Sequence, residues 1–395
     1  MALTASPTPL AHAPSGKKAR DLGLRMGDLP NGPLNAITDV AGVRVGHTTL
    51  AYGDGELAPG HGPVRTGVTV ILPNERPWRQ PLFAAPHTLN GNGEMTGLEL
   101  VRESGLLTSY IGLTNTHSVG VVRDALVAHE ATLRPSGEEY WSLPVVAETW
   151  DGLLNDLNGF HVTAEHVFDA VATATAGAFP EGNVGSGTGM VAHGFKGGIG
   201  SASRVVSQAD GGFTVGVLVQ ANHGKRDRLV IDGRPVGRHL AVPGDTAPGA
   251  PGQALPRPAS QLPEGSGSII VIVATDAPLL PHQCARLAQR ATLGIARTGG
   301  AGENGSGDIA LCFATGNDAI PAGHGAADAP PSYPLTALRN ERIDPLFYAA
   351  IEATEEAIVN AMLAAETMVG INGVVRHALP HDQLVALFSG DQGGS

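Results

Sequence analysis

Residues 265–276 read GSGSIIVIVATD and constrain the fold of this chain more than any other stretch. Small, flexible residues pass without a break into an apolar, largely β-branched run, and Thr-Asp-Ala-Pro follows it. An apolar run of this length between turn residues is typical of a strand that is buried on both faces of a sheet. Ser268 is therefore the first residue of a central strand and places a hydroxyl group at the N-terminal end of that strand.

The segment before this strand is the one linker-like part of the chain. Residues 241–266 are rich in Pro and Gly, and such a segment has little to pack, so we expect it on the surface. Because it ends beside Gly267, the strands around it need not stay covalently joined for a sheet to persist. The placement indicates a processing site at the Gly267–Ser268 bond rather than a domain boundary.

Cutting that bond would supply the base that Ser268 otherwise lacks. A new α-amino group has an unperturbed pKa of about 7.7–8.0 and lies within reach of the hydroxyl of its own residue. Nucleophile and base would then be one residue. Ser266 is the other candidate, but it stands two residues further outside the strand. Taken alone, a serine here is more consistent with an ordinary turn than with a nucleophile.

The rest of the chain alternates strands with helices. Strand patterns occur at residues 43–47, 67–73, 110–113, 144–147, 213–220, 269–273 and 309–314. Helical patterns begin after Thr163, near Pro281 and after Asp344-Pro345, and in the last of them Glu352, Glu355 and Glu356 lie opposite the apolar side. Since strand and helix do not alternate at regular spacing, the pattern favours a layered α+β domain. We expect a disordered leader over residues 1–20 and a single domain over residues 21–395.

Composition excludes several classes of partner. A formal net charge of −12 argues against nucleic acid or an anionic membrane, because both need a basic face. No apolar run is long enough to predict a membrane span, and the first residues lack the basic-then-apolar order of a secretory signal. We therefore expect a cytoplasmic protein in which Cys284 and Cys312 are buried thiols rather than a disulfide.

Two other kinds of site are weakly supported by the sequence. The glycine-rich run at residues 182–189 lacks the flanking strand, helix and Lys-Ser/Thr pair of a phosphate-binding loop, which favours tight turns lining a cleft. His117, His193, His223 and His282 stand isolated, without the spacing of metal ligands. We predict no metal site.

Polar residues at strand ends offer a better candidate. Ser306 and Asp308 stand two residues apart where a glycine-rich turn runs into an apolar strand, so they point to the same face if the strand has begun. Glu148 and Asn222 each close an apolar strand. Each is unremarkable alone, but several such ends converging at one sheet edge can build a site.

Several longer motifs resemble one known family. They are LNAITDV at residues 34–40, GVRVGHTT at 42–49, NGNGEMTG at 90–97, LTNTHS at 113–118 and GFKGGIG at 194–200. Together they are similar to the DmpA-type aminopeptidases, a self-cleaving serine peptidase family that includes β-aminopeptidases. The resemblance extends over nearly the whole chain from about residue 20.

The resemblance implies a four-layer αββα fold and self-cleavage into chains 1–267 and 268–395. It further implies removal of N-terminal residues from small peptides, amides or esters with a free amine, without a metal or organic cofactor. It also implies a homo-oligomer, often a tetramer.

The resemblance also implies roles for individual residues. Ser268 resembles the nucleophile, which follows the cleavage site at Gly267, and Ser306 and Asp308 resemble the pair that supports it. Asn222 resembles the oxyanion donor. Glu148 resembles the carboxylate that receives the ammonium group of the substrate, which needs a fixed negative charge near the scissile bond.

One position departs from the family pattern. Two residues after Glu148, where a tyrosine is expected as a second oxyanion or positioning group, the chain has Trp150, whose indole N–H is also a donor. Two alternatives stay open at this point. One is an N-acetyl transferase like the ornithine acetyltransferases, although these use a threonine nucleophile. The other is an uncleaved protein that binds small amines at Glu148.

Overall fold

The computed structural model describes residues 16–243, 267–322 and 331–389. Fourteen strands form within those residues: β1 Arg44–Tyr52, β2 Val64–Leu72, β3 Leu82–Gly91, β4 Leu106–Leu107, β5 Ile111–Asn115, β6 Val145–Thr149, β7 Val191–Ala192, β8 Phe195–Lys196, β9 Gly198–Val205, β10 Thr214–Asn222, β11 Ser268–Thr275, β12 Gly307–Ala314, β13 Met368–Val369 and β14 Val375–Arg376. Six α-helices accompany them: α1 Leu98–Ser104, α2 Val119–Leu133, α3 Ala164–Ala172, α4 Pro281–Arg297, α5 Asp344–Leu363 and α6 His381–Ser389.

Two sheets stack face to face between two layers of helices. The smaller sheet has the order β1-β2-β5-β6 and the larger β4-β3-β12-β11-β10-β9. Helices α2 and α3 cover the outer face of the smaller sheet, and α4 and α5 cover the outer face of the larger one. This arrangement confirms the predicted four-layer αββα fold.

Each boundary between layers has its own apolar core. Alternate residues of β11 divide between two cores: Ile270 and Ile272 face the smaller sheet, whereas Val271 and Val273 face α4 and α5. All eight residues of β11 are buried, as expected for a strand covered on both sides. The prediction of a central buried strand at Ser268 is therefore correct.

The pairing of β11 sets the geometry at its first residue. It runs antiparallel to β10, with Ser268 opposite Asn222, and parallel to β12, with Ile269 opposite Asp308. The end of β10 and the beginnings of β11 and β12 consequently meet at one edge of the larger sheet. Polar residues that are far apart in sequence are thereby brought together there.

Helix α5 corrects one expectation. Glu352, Glu355 and Glu356 do not face water but are 7, 4 and 2% exposed. Arg204 of β9 accounts for two of them: its Nη2 lies 2.7 Å from Glu356 Oε2 and its Nε 3.2 Å from Glu352 Oε2. The helix is buried nearly all round because a buried cation from the sheet pairs with its acidic side.

The N-terminal boundary also needs correction. Residues 1–15 and most of the predicted linker lie outside the described residues, but the expected leader extended too far. Ala19 is fully buried, and Lys18 Nζ lies 2.6 Å from Glu181 Oε1. The ordered part of the chain therefore includes residues 16–20.

The predicted strands, helices and free cysteines are present in the structure, which also contains further strands and helices. The predicted strand positions coincide with β1, β2, β5, β6, β10, β11 and β12, and the three predicted helices with α3, α4 and α5. Strands β3 and β9 and helices α1, α2 and α6 were not predicted. Cys284 and Cys312 are buried free thiols, as predicted. Within the described residues, no helix is both long and apolar enough to cross a bilayer.

Candidate active site

Ser268 lies at the mouth of β11 with little exposure to solvent. The residue is 5% exposed, and its Oγ accepts a hydrogen bond of 3.0 Å from the backbone N–H of Gly307, the first residue of β12. This contact fixes the oxygen while leaving the hydroxyl hydrogen available to a base. The parallel pairing of β11 and β12 thus orients the candidate nucleophile.

Gly267 is pressed against the end of β10. A Cβ atom on this residue would lie 1.7 Å from the carbonyl oxygen of Asn222, so no side chain fits without moving the backbone. Only glycine therefore allows the chain to approach Ser268 along this path. The bond before the serine is held against a buried strand end.

Ser306 and Asp308 meet as their spacing in sequence predicts. Ser306 Oγ donates to Asp308 Oδ1 at 2.6 Å, and the two residues are 1 and 2% exposed. Burial raises the pKa of the Asp308 carboxyl to about 6, although the Ser306 hydroxyl and the Ile269 N–H act to lower it. The pair can accept a proton close to neutral pH.

The amide of Asn222 has a fixed orientation. Its Oδ1 accepts from the backbone N–H of Val191 at 2.7 Å, and its Nδ2 donates to the carbonyl oxygen of Trp150 at 2.8 Å. Because an N–H donor faces one end of the amide and a carbonyl the other, oxygen and nitrogen are distinguished. One Nδ2 hydrogen then remains for a developing oxyanion.

Trp150 contacts the site through its backbone. Its carbonyl holds Asn222, whereas its indole ring packs over Gly152, where a Cβ would lie 2.8 Å from the indole nitrogen. A substrate contact of the indole N–H remains a prediction. The backbone role is independent of the side chain, so either tyrosine or tryptophan at this position can supply it.

Glu148 is a buried carboxylate at the end of β6. Its Oε1 accepts from the backbone N–H of Glu94 at 3.1 Å and its Oε2 accepts from the hydroxyl of Thr116. Burial raises the pKa of Glu148, and these two hydrogen bonds oppose the rise. The carboxylate keeps unused lone pairs that can receive an ammonium group.

A glycine-rich loop at residues 90–97 lies between Glu148 and the turn that contains Ser306. A Cβ on Gly93 would lie 3.0 Å from the Cα of Gly307 and 3.2 Å from Glu148 Oε1, so this residue fills the narrow space between them. Asn90 donates to the carbonyl of Ser306, and Asn92 Nδ2 donates to that of Gly305 at 2.8 Å. The loop therefore holds the Ser306 turn in place.

Sequence reasoning assigned no role to these supporting residues. Thr116, Asn90 and Gly93 lie in the motifs at residues 90–97 and 113–118 that carried the family resemblance. The signal for them in the sequence was the two motifs themselves, whose small and polar residues had been given no role. Such residues act by holding the groups that touch substrate.

The described residues contain no cluster of three or more potential metal ligands. His193 and His223 are buried and pack edge to face with ring centroids 5.1 Å apart. The glycine-rich run at residues 182–189 is packed rather than open, because a Cβ on Gly185 would lie 2.5 Å from Thr69 Oγ1.

The chain is similar to known peptidases over most of its length. Residues 35–376 match peptidase family S58. The beta-peptidyl aminopeptidase BapA of Sphingosinicella microcystinivorans is 48% identical over 96% of this chain and 93% of that protein. BapA of Sphingosinicella xenopeptidilytica is 44% identical over 95% of this chain and 91% of that protein.

Solved structures agree in fold. A beta-aminopeptidase from Burkholderia sp. superposes with a TM-score of 0.84 at 49% identity, covering 96% of this chain and 100% of that one. The L-aminopeptidase D-Ala-esterase/amidase of Ochrobactrum anthropi, described as a prototype of the serine aminopeptidases and a variant of the Ntn-hydrolase fold, gives 0.82 at 43% identity, covering 94% and 99%. The chain therefore belongs to peptidase family S58, the serine aminopeptidases with an N-terminal nucleophile.

Proposed function

We propose that the chain cuts its own Gly267–Ser268 bond and that the released Ser268 removes N-terminal residues from small peptides, amides or esters. The observation that carries the proposal is the position of Ser268. It is the first residue of a buried central strand, its Oγ is fixed by Gly307, and Asn222 and the Ser306–Asp308 pair lie at the same sheet edge.

Self-cleavage would proceed through an ester. The Ser268 hydroxyl attacks the Gly267 carbonyl, the C–N bond breaks, and the acyl group moves to Oγ while the nitrogen gains a proton. Water then hydrolyses the ester to leave the Gly267 carboxylate and the free amine of Ser268. The products are chains 1–267 and 268–395.

In the mature enzyme, the Ser268 amine takes the hydroxyl proton as Oγ attacks the substrate carbonyl. Asn222 Nδ2 donates to the oxyanion, and removal of such a donor from other enzymes costs about 2.7–4 kcal/mol. The amine returns the proton to the leaving group, and water hydrolyses the acyl-enzyme. Glu148 binds the ammonium group of the substrate, so the enzyme hydrolyses only substrates whose N-terminal residue has a free amine.

The names of two relatives support one class of substrate. Two of them are named beta-peptidyl aminopeptidases at 48 and 44% identity, so we propose that β-aminoacyl substrates are accepted. Turnover of β-, α-L- and D-aminoacyl p-nitroanilides would test this. Intact-mass measurement tests the processing step: two chains are expected, whereas one uncut and inactive species would favour the amine-binding alternative.

We also propose a cytoplasmic homo-oligomer, with a tetramer possible. Free thiols at Cys284 and Cys312 suit a reducing compartment. Phe160 and Tyr348 are 67 and 62% exposed, and aromatic residues are enriched in the surfaces that subunits bury against one another. Light scattering of the purified protein would give the oligomeric state.

A further inference from the structure

Lys196, in the GFKGGIG motif, is buried with no charged partner. The side chain is fully inaccessible and forms no ion pair within the described residues. Burial lowers the pKa of its ammonium group to about 7. A buried ammonium group without an ionic partner is costly even when it is hydrogen-bonded, so the residue is a candidate for a role beyond packing.

Three backbone carbonyls surround the ammonium group. Nζ donates to Met190 O at 2.7 Å, to Gly197 O at 2.9 Å and to Gly187 O at 3.2 Å, which uses all its hydrogens. Glycines make this close approach feasible: a Cβ on Gly197 would lie 2.4 Å from the carbonyl of Ala221. The hairpin of β7 and β8 is thereby packed against the end of β10.

One peptide group links Lys196 to the proposed oxyanion donor. The Met190 carbonyl accepts from Lys196, and the N–H of the same peptide unit, on Val191, donates to Asn222 Oδ1 at 2.7 Å. A cation at the carbonyl end of a resonant peptide makes its N–H a stronger donor, and successive hydrogen bonds polarise one another. Polarisation of Oδ1 in turn strengthens the Nδ2 donor of Asn222.

We propose that Lys196 is a positioning residue that acts on the reaction through the Met190–Val191 peptide and Asn222. The inference rests on the proposed role of Asn222 as oxyanion donor. Lys196 fixes the peptide that orients the Asn222 amide, and its positive charge strengthens that amide where negative charge develops. Because the negative charge develops only in the transition state, loss of this interaction should lower kcat and leave KM nearly unchanged.

A double-mutant cycle tests the proposal. Lys196→Met, Asn222→Ala and the double variant are compared with the unsubstituted enzyme on one aminoacyl p-nitroanilide. The value of kcat is expressed per cleaved chain, counted by denaturing electrophoresis, which separates slow processing from slow turnover. Lys18→Met is the control. Lys18 Nζ also donates to backbone carbonyls, Asn35 O and Ser201 O, and it lies outside the site, although it differs from Lys196 in pairing with Glu181.

We expect Lys196→Met to lower kcat about tenfold with KM changed less than twofold, and Lys18→Met to leave both unchanged. In the Asn222→Ala background, loss of Lys196 should lower kcat less than twofold further. Equal losses in both backgrounds, or an unchanged kcat, would overturn the relay while leaving the proposed function intact. Normal kcat in Asn222→Ala would overturn the oxyanion role, and the relay with it.

A second variant covers loss of folding. Lys196→Gln keeps N–H donors for the carbonyls but removes the charge, and if the Met variant does not accumulate as folded protein, the same cycle is measured with Gln. Loss of kcat that depends on Asn222 supports the relay, and loss independent of Asn222 overturns it.

Discussion

Asn222 and Ser268 pair directly across the ends of β10 and β11. The pairing places a candidate oxyanion donor one strand spacing away from a candidate nucleophile, with no loop to position either residue. Sites built on strands hold their groups more tightly than sites built on loops. The relative position of this candidate pair is therefore fixed by the hydrogen bonds of the sheet itself.

Replacing Ser268 with Ala should leave a single chain of 40.3 kDa with no peptidase activity. The variant lacks the oxygen that attacks Gly267 and, later, the substrate. Intact-mass spectrometry and p-nitroanilide turnover measure the two effects. Ser266→Ala is the control and should be cleaved normally; the opposite result would identify Ser266 as the nucleophile.

Replacing Gly267 with Ala should slow self-cleavage roughly a hundredfold, because a Cβ 1.7 Å from the Asn222 carbonyl displaces the scissile bond. The time course of chain cutting after synthesis measures the rate. Gly120→Ala is the matched control: it lies in α2 with no atom within 4 Å of the added Cβ. Cleavage of the Gly267 variant at the normal rate would contradict the tight fit at the cleavage site.

Replacing Asp308 with Asn should lower kcat about a hundredfold and simplify its pH profile. In the unsubstituted enzyme, the Asp308 carboxyl ionises as pH rises through about 6, and the Ser268 amine loses its proton near its ordinary pKa of about 7.7–8.0. Both changes favour activity, so each should add a rising step to the pH profile of kcat, whereas loss of the Lys196 charge as pH rises through about 7 opposes the rise. Asn removes the lower step; a profile that keeps both steps would exclude Asp308 as the group responsible.

Replacing Glu148 with Gln should lower kcat/KM for substrates with a free amine by roughly ten- to a hundredfold, since a charge-assisted hydrogen bond contributes about 1.5–3 kcal/mol. N-acetylated substrates should be poor for both enzymes. The ratio of kcat/KM for the two substrates is the measurement. Glu165→Gln, an exposed carboxylate on α3, is the control and should leave that ratio unchanged.

Replacing Arg204 with Met should lower the free energy of unfolding by about 3–5 kcal/mol, because Glu352 and Glu356 lose their buried partner. Urea denaturation of the uncut Ser268→Ala protein measures the change. Arg102→Met, which breaks an ion pair on the surface of α1, should cost at most about 1 kcal/mol. Similar losses in the two variants would argue against a structural role for the buried cluster.

The sequence predicted the polar strand ends well because their signal is local. Ser306 and Asp308 stand two residues apart where a turn enters β12, and this spacing was enough to predict that their side chains lie together. The partners of Glu148 could not be derived in this way. Thr116 follows β5, the strand that pairs with β6, so its contact with Glu148 depends on strand pairing. Glu94 follows β3 of the other sheet, so its contact depends on how the two sheets stack.

Two misses have physical causes. Strand β3 contains Pro86, which ordinarily argues against an internal strand. Here β4 pairs only with Leu82 and Phe83, so among the described residues Pro86 has a neighbouring strand on one side alone. Periodicity placed the glutamates of α5 on a polar face. It missed the burial of Glu352 and Glu356 because their partner, Arg204, lies on a strand about 150 residues earlier. Long-range charge pairing leaves no trace in local periodicity.

The pairing of β10 with β11 has a consequence for how the cut protein would behave on heating. Once the Gly267–Ser268 bond is broken, these adjacent strands belong to two polypeptides that share one core. Neither polypeptide keeps that core alone, and after unfolding they must find each other by diffusion. The uncut precursor is one chain, so its refolding would not need this encounter. The lifetime of the cut enzyme would instead be set by its rate of unfolding, and therefore by the height of the barrier to unfolding.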